Sequence, residues 1–251
     1  MLSMSSASSS VSPVAAPPAA STWRDGRIAV ALFDLDHTLL PLDSDYAWGE
    51  FTTRIGWTDP QDFTRRNDAF FADYQAGRLD VHAYVRFATE AVRLRGPQAA
   101  AQAHARFMAE VIAPAIRPEA RALVAAHRER GERIAIVTAT NAFVTRPIAQ
   151  AFGVDALIAV ELARGPDGWI TGEIDGVPSF REGKVTRVAQ WLAQQGLGWD
   201  DVHVTFYSDS TNDLPLLERA DVPVATNPSA GLRELARARG WRILDLFEPH
   251  P

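Results

Sequence analysis

At 251 residues, 47% of them apolar and 22% charged, the chain has ordinary globular composition and enough apolar surface for a sizeable core, so wholesale disorder is excluded. Its formal net charge of -6 and the lack of any long Lys/Arg run exclude the electrostatic footprint of a nucleic-acid binder or a membrane-surface protein. The absence of cysteine excludes a disulfide framework, a thiolate zinc site and a cysteine nucleophile, and leaves histidine and carboxylate metal sites open.

Residues 1–22 are rich in Ser, Ala and Pro and are expected to form a disordered tail, because such a segment buries too little surface to order itself. No secretory, transit or membrane-spanning pattern is visible, and the expected location is the cytoplasm. The run IAVALF, Ile28 to Phe33, is short, apolar and abruptly closed by DLDHT, which predicts a strand buried on both faces of a parallel sheet. From residue 43 to 113 strand-like runs give way to aromatics at helical spacing: Trp48 and Phe51, then Phe63, Phe70, Phe71 and Tyr74. This predicts an inserted domain of about four helices, with Asp80 as one N-cap and Pro97, after Gly96, in another first turn. Its aromatics are read as domain core.

The alternation then resumes in the core domain, residues 23–42 and 114–251. Strands are predicted at Arg133 to Thr140, Ala156 to Leu162, Val202 to Asp209, Asp221 to Thr226 and Trp241 to Phe247. Helices are predicted at Pro118 to Arg130, Lys184 to Gln195, Asp213 to Arg219 and Ser229 to Arg239. The stretch ELARGPDGWITGEID reads as a β-hairpin around PDG. Strand alternating with helix predicts an α/β fold with a doubly wound parallel sheet.

Ligands of such sheets bind at the carboxyl ends of the strands. There the sequence places Asp34, Asp36 and Thr38 after the first strand, Thr138 in the second, Asp209 and Asp213 after the fourth, and Lys184 at the start of the preceding helix. Asp34 and Asp36 lean to the same side of an extended chain and can flank one reacting phosphorus, one attacking while the other handles the proton. So many carboxylates call for a hard divalent cation, and Mg²⁺ binds through one or two carboxylates plus substrate phosphate, which suits Asp34 and Asp209. Thr138 can bond phosphoryl oxygens, and Lys184 can neutralise phosphate and nucleophile together.

FDLDHTLL resembles motif I of the haloacid dehalogenase phosphatases, VTAT motif II, the lysine of REGKV motif III and YSDSTNDLP motif IV. The resemblance spans Ile28 to Phe247 in order, and the insert falls where the helical C1 cap of the phosphoserine phosphatase-like branch sits. It implies that Asp34 is the nucleophile and Asp36 the general acid and base, which also lends its backbone carbonyl to the metal. It further implies Asp209 as a metal ligand, Asp213 as the holder of metal-bound water, and Thr138, Ala139, Lys184 and Asn212 as the phosphate-binding set. Phosphoserine phosphatases read Ser-Gly-Gly where this chain has Thr138-Ala139-Thr140, so phosphoserine is second choice. The length and context resemble the histidinol-phosphatase-like members, and the expected partner is a small phosphorylated metabolite.

Two residues between the aspartates and the insert receive structural readings: Thr38 is expected to orient Asp36, and His37 to point away without a role. Asp43, Asp45 and Glu50 either welcome an ammonium-bearing substrate or cap and complement the first helix of the insert. Two other functions compete. A dehalogenase would dispense with the acid at Asp36, and a silent binding domain would have lost one of Asp34, Asp36, Lys184 or Asp209.

Overall fold

The computed structural model describes residue 22, residues 25–75 and residues 78–247. The expected tail of residues 1–22 lies outside these apart from Thr22, which forms an isolated antiparallel bridge with Ile28.

Six parallel strands form the main sheet: β1 (Ile28–Phe33), β2 (Arg133–Asn141), β3 (Ala156–Val160), β6 (Val202–Ser208), β7 (Val222–Thr226) and β8 (Arg242–Leu244), in the spatial order β3-β2-β1-β6-β7-β8. β1 lies centrally because it is apolar throughout: Ala31 and Phe33 enter the core on one face, Val30 and Leu32 that on the other. Between β3 and β6, β4 (Leu162–Arg164) and β5 (Ile170–Ile174) form the expected antiparallel hairpin. Val124 of α6 (Pro118–Glu129) and Ile148 of α7 (Ala142–Phe152) cover the first face. Val188 of α8 (Glu182–Ala193), Leu216 of α9 (Leu214–Arg219) and Leu232 of α10 (Ala230–Arg239) cover the second. This is a doubly wound α/β sheet.

The sequence reading passed over α7, which follows β2 with no intervening loop. Its start is marked only by Asn141, whose side chain accepts the Val144 amide at 3.3 Å, and its end by Gly153 at φ 68°. The strand expected from Ala156 to Leu162 divides at Glu161 into β3 and the first hairpin strand. The last strand covers three residues rather than the expected run to Phe247.

Between β1 and β2 lie α1 (Ser44–Arg54), α2 (Pro60–Gln75), α3 (Val81–Ala88), α4 (Glu90–Phe107), a π-helical turn (Met108–Ile112) and the short α5 (Ala113–Ala115). Asp80 caps α3 by accepting the His82 and Ala83 amides. Gly96, at φ 76° and ψ 171°, breaks the helical path inside α4, and a second helical segment begins at Pro97, as expected. Trp48, 1% exposed, holds this insert together and to the sheet domain: its ring meets Phe51, Trp57, His104 and Phe107 within the insert and Phe143 of α7. Phe71, by contrast, is exposed and belongs to no core. The hairpin also touches the insert, through Arg86 to Glu173 at 3.3 Å and through Arg93, which lies so close to Gly172 that a Cβ there would come within 2.6 Å of its Nε. No helix among the described residues is long and apolar enough to cross a membrane.

Trp48→Ala is expected to cost about 3–5 kcal/mol, because a large aromatic leaves a cavity that its neighbours cannot fill. A chemical-denaturation midpoint unchanged from wild type would show that Trp48 does not join the two parts.

Candidate active site

The parallel register aligns Phe33 with Ile136 and with Tyr207, so the carboxyl ends of β1, β2 and β6 meet. The ladder runs one residue past β1, where the Asp34 amide donates to the Tyr207 carbonyl at 2.9 Å. The chain then turns sharply, with the Leu35 carbonyl accepting the amides of Thr38, Leu39 and Leu40. Asp34 and Asp36 therefore stand on a braced loop.

Asp36 is held from two elements: its carboxyl accepts the Ser44 amide and the Thr140 hydroxyl, both at 2.8 Å. Burial, then the charges of Asp43 and Asp34, push its pKa well above the ordinary carboxylate range. The Thr38 hydroxyl donates to Asp34 Oδ2 at 3.2 Å, which corrects the expectation that Thr38 orients Asp36: Thr140 does that from β2. His37 is exposed, at φ 57°. Its carbonyl and that of Thr38 accept the Asn227 side-chain amide at 3.0 and 3.3 Å, while Asn227 Oδ1 accepts the amides of Leu246 and Phe247.

Lys184 enters on the first turn of α8 after a strained approach. Arg181 has φ 51° and ψ −123°, a conformation foreign to most residues with a Cβ, and a Cβ at Gly183 would come within 2.0 Å of the Pro178 carbonyl. The result is an ammonium 2% exposed that donates to Asp34 Oδ1 and Asp213 Oδ2, each at 2.7 Å. Burial alone would lower its pKa, but Asp213 and Asp34 outweigh that and hold it above the ordinary lysine value. Asp213 also accepts the Ser208 hydroxyl at 2.8 Å; burial and Asp34 push it up to about 6 against the pull of Lys184. Asp209 is pushed up to about 8 by burial and by the charges of Asp34 and Asp213.

Four carboxylates thus share one ammonium, and burial, reinforced by this unbalanced negative charge, raises the pKa values of Asp36, Asp209 and Asp213. Among the described residues no group of three or more His, Cys, Asp or Glu is arranged to hold a metal. Asp36 is engaged by Ser44 and Thr140, Asp213 by Lys184 and Ser208, and Asp34 Oδ1 by Lys184, so the side-chain oxygens most open to a cation are Asp34 Oδ2, held only by the long Thr38 bond, and those of Asp209. That donor set fits Mg²⁺, which takes one or two carboxylates and fills its remaining positions with water and phosphate.

Of the other predicted residues, Thr138 is buried at the end of β2, its hydroxyl accepting the Thr140 amide at 3.1 Å, and Ala139 beside it is exposed. Asn212 accepts from Arg181 Nε at 3.1 Å and donates to Ser210 Oγ at 3.4 Å. The acidic segment divides. Asp43 caps α1 through the Asp45 and Tyr46 amides, each at 2.9 Å, and Glu50 is exposed. Asp45 is buried, accepts the Asn141 amide at 3.2 Å, and is pushed up to about 7 by burial and the Asp43 charge. With Tyr84, Trp57 and Phe63 it lines a cavity of about 210 Å³ in the insert. Thr140, Asn227, Ser208 and Tyr84 went unassigned in the sequence; Thr140 alone left a signal there, as the last residue of the unusual Thr-Ala-Thr.

A doubly wound sheet with paired aspartates at the end of its central strand, braced by a buried lysine, is the frame of one class of hydrolases. Residues 31–218 match the family model of the haloacid dehalogenase-like hydrolases. The chain belongs to this family, and it is one of its phosphatases. It is 41% identical over 217 residues to a histidinol-phosphatase of Neisseria meningitidis, covering 86% of this chain and 98% of that protein. It is 51% identical to a Bordetella pertussis Tohama I protein of unknown function whose crystal structure matches it at a TM-score of 0.83, covering 87% of this chain and 99% of that one. A substrate-bound phosphoserine phosphatase shares the fold at 18% identity and a TM-score of 0.58, over 86% of this chain and 91% of that one.

The raised carboxylates give stability a definite pH dependence. A carboxyl whose folded pKa lies above its unfolded value binds more protons folded than unfolded, so stability falls as pH rises from the unfolded pKa towards the folded one. With folded values of about 6 for Asp213, 7 for Asp45 and 8 for Asp209, the melting temperature in EDTA should drop between roughly pH 5 and pH 8. Mg²⁺ should restore it most at the upper end. A melting temperature flat across this range in EDTA would contradict the charge imbalance.

Proposed function

We propose that the chain is a Mg²⁺-dependent phosphomonoesterase that hydrolyses a small phosphorylated metabolite through a covalent phosphate on Asp34. The observation that carries this reading is the pairing of a lysine-braced carboxylate, Asp34, with a neighbouring carboxyl, Asp36, whose environment favours its protonated form.

Asp34 attacks phosphorus, and an O–P bond forms as the bond to the leaving alcohol breaks. Asp36, fixed by Ser44 and Thr140, gives its proton to the leaving oxygen. As a carboxylate it then takes a proton from the water that attacks the aspartyl phosphate, and inorganic phosphate departs. Lys184 keeps Asp34 in place and offsets the charge of the phosphoryl group, with Thr138, Ala139 and Asn212 lining the phosphate position. Asp34, Asp209 and the Asp36 carbonyl would hold Mg²⁺, with Asp213 fixing its water, and the cation would supply charge neutralisation of the phosphoryl group. Residues 43–113 serve as a cap over a core made of residues 23–42 and 114–251, excluding bulk water. Asp36 argues against dehalogenation, which needs no such acid.

For the leaving group we favour an aminoalkyl alcohol, with histidinol phosphate as the leading substrate. The likeness to the Neisseria histidinol-phosphatase supports this, as does Asp45, a buried carboxyl among the aromatic residues that line a cavity in the insert. Phosphoserine is the second reading: it too carries an ammonium, but its carboxylate would meet the Asp45 charge.

Phosphate release from histidinol phosphate should be abolished by EDTA and restored by Mg²⁺. Asp34→Asn should fold yet show no turnover. Asp36→Asn should lose about 10²–10⁴-fold in kcat while still trapping phosphate on Asp34. Turnover by Asp34→Asn at the wild-type rate would end the mechanism.

Asp45→Asn separates the two roles of the acidic segment, since Asp43 is occupied as a helix cap. A carboxylate near an ammonium contributes about 1 kcal/mol or more, so the wild-type chain should prefer an aminoalkyl phosphate to an uncharged alkyl phosphate by roughly five-fold in kcat/KM. The variant should lose that preference and keep its turnover of the uncharged substrate. Equal losses on both substrates would assign Asp45 to the architecture of the insert.

A further inference from the structure

Tyr74, near the end of α2, reaches across to the sheet domain. Its hydroxyl lies 3.5 Å from Ser210 Oγ, and its ring packs against Phe180 at 6.3 Å between centroids. Burial raises the phenol pKa, as do the charges of Asp209 and Asp213, while bonds to Ser210 and Asn212 lower it. Tyr74 therefore touches both loops that form the floor of the site: the turn before Lys184, through Phe180, and the turn between β6 and α9, through Ser210.

From Ser210 a continuous run of hydrogen bonds leads to the proposed nucleophile. The Ser210 amide donates to Ser208 Oγ at 3.2 Å, and Ser208 Oγ donates to Asp213 Oδ2 at 2.8 Å. The same Asp213 oxygen accepts Lys184 Nζ, which also donates to Asp34. A parallel branch joins the two loops directly. Asn212 donates its backbone amide to Ser210 Oγ at 3.2 Å and accepts from Arg181 Nε, while the Arg181 guanidinium lies 5.0 Å over the Phe180 ring. Arg181 holds its strained backbone within this same cluster, and strain of that kind persists only where the surroundings over-determine it.

We propose that Tyr74 is a positioning residue: its hydroxyl, by fixing Ser210, sets the loop that carries Asp209 and Asp213 and so ties the geometry of Asp34 to the docking of the insert. This rests on the phosphatase reading above. Tyr74 touches no reacting atom in this scheme. Its effect is on how the site is held for chemistry and not on how tightly substrate is held, so it belongs in kcat.

The test uses the full chain, p-nitrophenyl phosphate and Mg²⁺, with Tyr74→Phe, Ser210→Ala and the double variant. Losing a part-buried hydroxyl hydrogen bond corresponds to roughly five-fold, so each single variant should lower kcat by about that factor with KM within about two-fold of wild type. Because the Tyr74–Ser210 hydrogen bond is common to both variants, and Ser210→Ala also removes the bonds from Asn212, the double variant should lose no more than Ser210→Ala alone. An unchanged kcat in Tyr74→Phe overturns the proposal, and so do losses that multiply in the double variant. Failure of the wild-type chain to release phosphate would remove the phosphatase reading and this inference with it.

Discussion

The ammonium of Lys184, buried between Asp34 and Asp213, is the interaction on which the rest depends. It joins three segments that are distant in sequence: the end of β1, the start of α8 and the turn before α9. Removing the lysine would leave two buried carboxylates with no compensating charge, which costs far more than an exposed ion pair is worth. Seating it requires a turn so tight that Gly183 has no room for a Cβ and Arg181 adopts a positive φ. The fold thus accepts backbone strain next to the site to place one cation where the chemistry needs it.

The same arrangement is under-compensated by design of its charges. One ammonium cannot balance four carboxylates, and burial together with their mutual repulsion raises the pKa values of Asp36, Asp209 and Asp213. This separates the two aspartates of motif I by environment. Asp34 lies against the lysine, whereas Asp36 is bonded only by neutral donors from Ser44 and Thr140. Two carboxyls two residues apart can therefore take opposite parts in a proton-coupled displacement.

The parallel sheet and the positions of Asp34, Asp36, Lys184, Asp209 and Asp213 could be read from the sequence because they follow local rules. Apolar runs mark buried strands, and a polar residue just past such a run must lie at a strand end. The supporting residues follow no local rule. Thr140 looks like an ordinary strand hydroxyl until β2 is set beside β1, and Asn227 looks like a loop residue until its amide is seen to bridge two segments. Thr38 was assigned to Asp36 because the two are close in sequence, but the turn at Leu35 carries its hydroxyl back to Asp34. Helix α7 was hidden for a different reason: β2 passes into it at Asn141 with no turn residues to announce a boundary. Of the acidic segment, sequence gave three equivalent charges. Only burial distinguishes Asp45 from the capping Asp43 and the exposed Glu50.

Asn227 has a consequence for the order in which the protein is made. Its side chain binds the carbonyls of His37 and Thr38 on one side and the amides of Leu246 and Phe247 on the other. During synthesis the loop bearing Asp34 and Asp36 leaves the ribosome before the group that ties it down, which is itself oriented by residues translated some two hundred positions later. The nascent chain can bury β1 against β2 and β6 before then, yet its reactive loop lacks its outer brace until Phe247 has emerged. The loop is in this way fully braced only in a chain extended through Phe247.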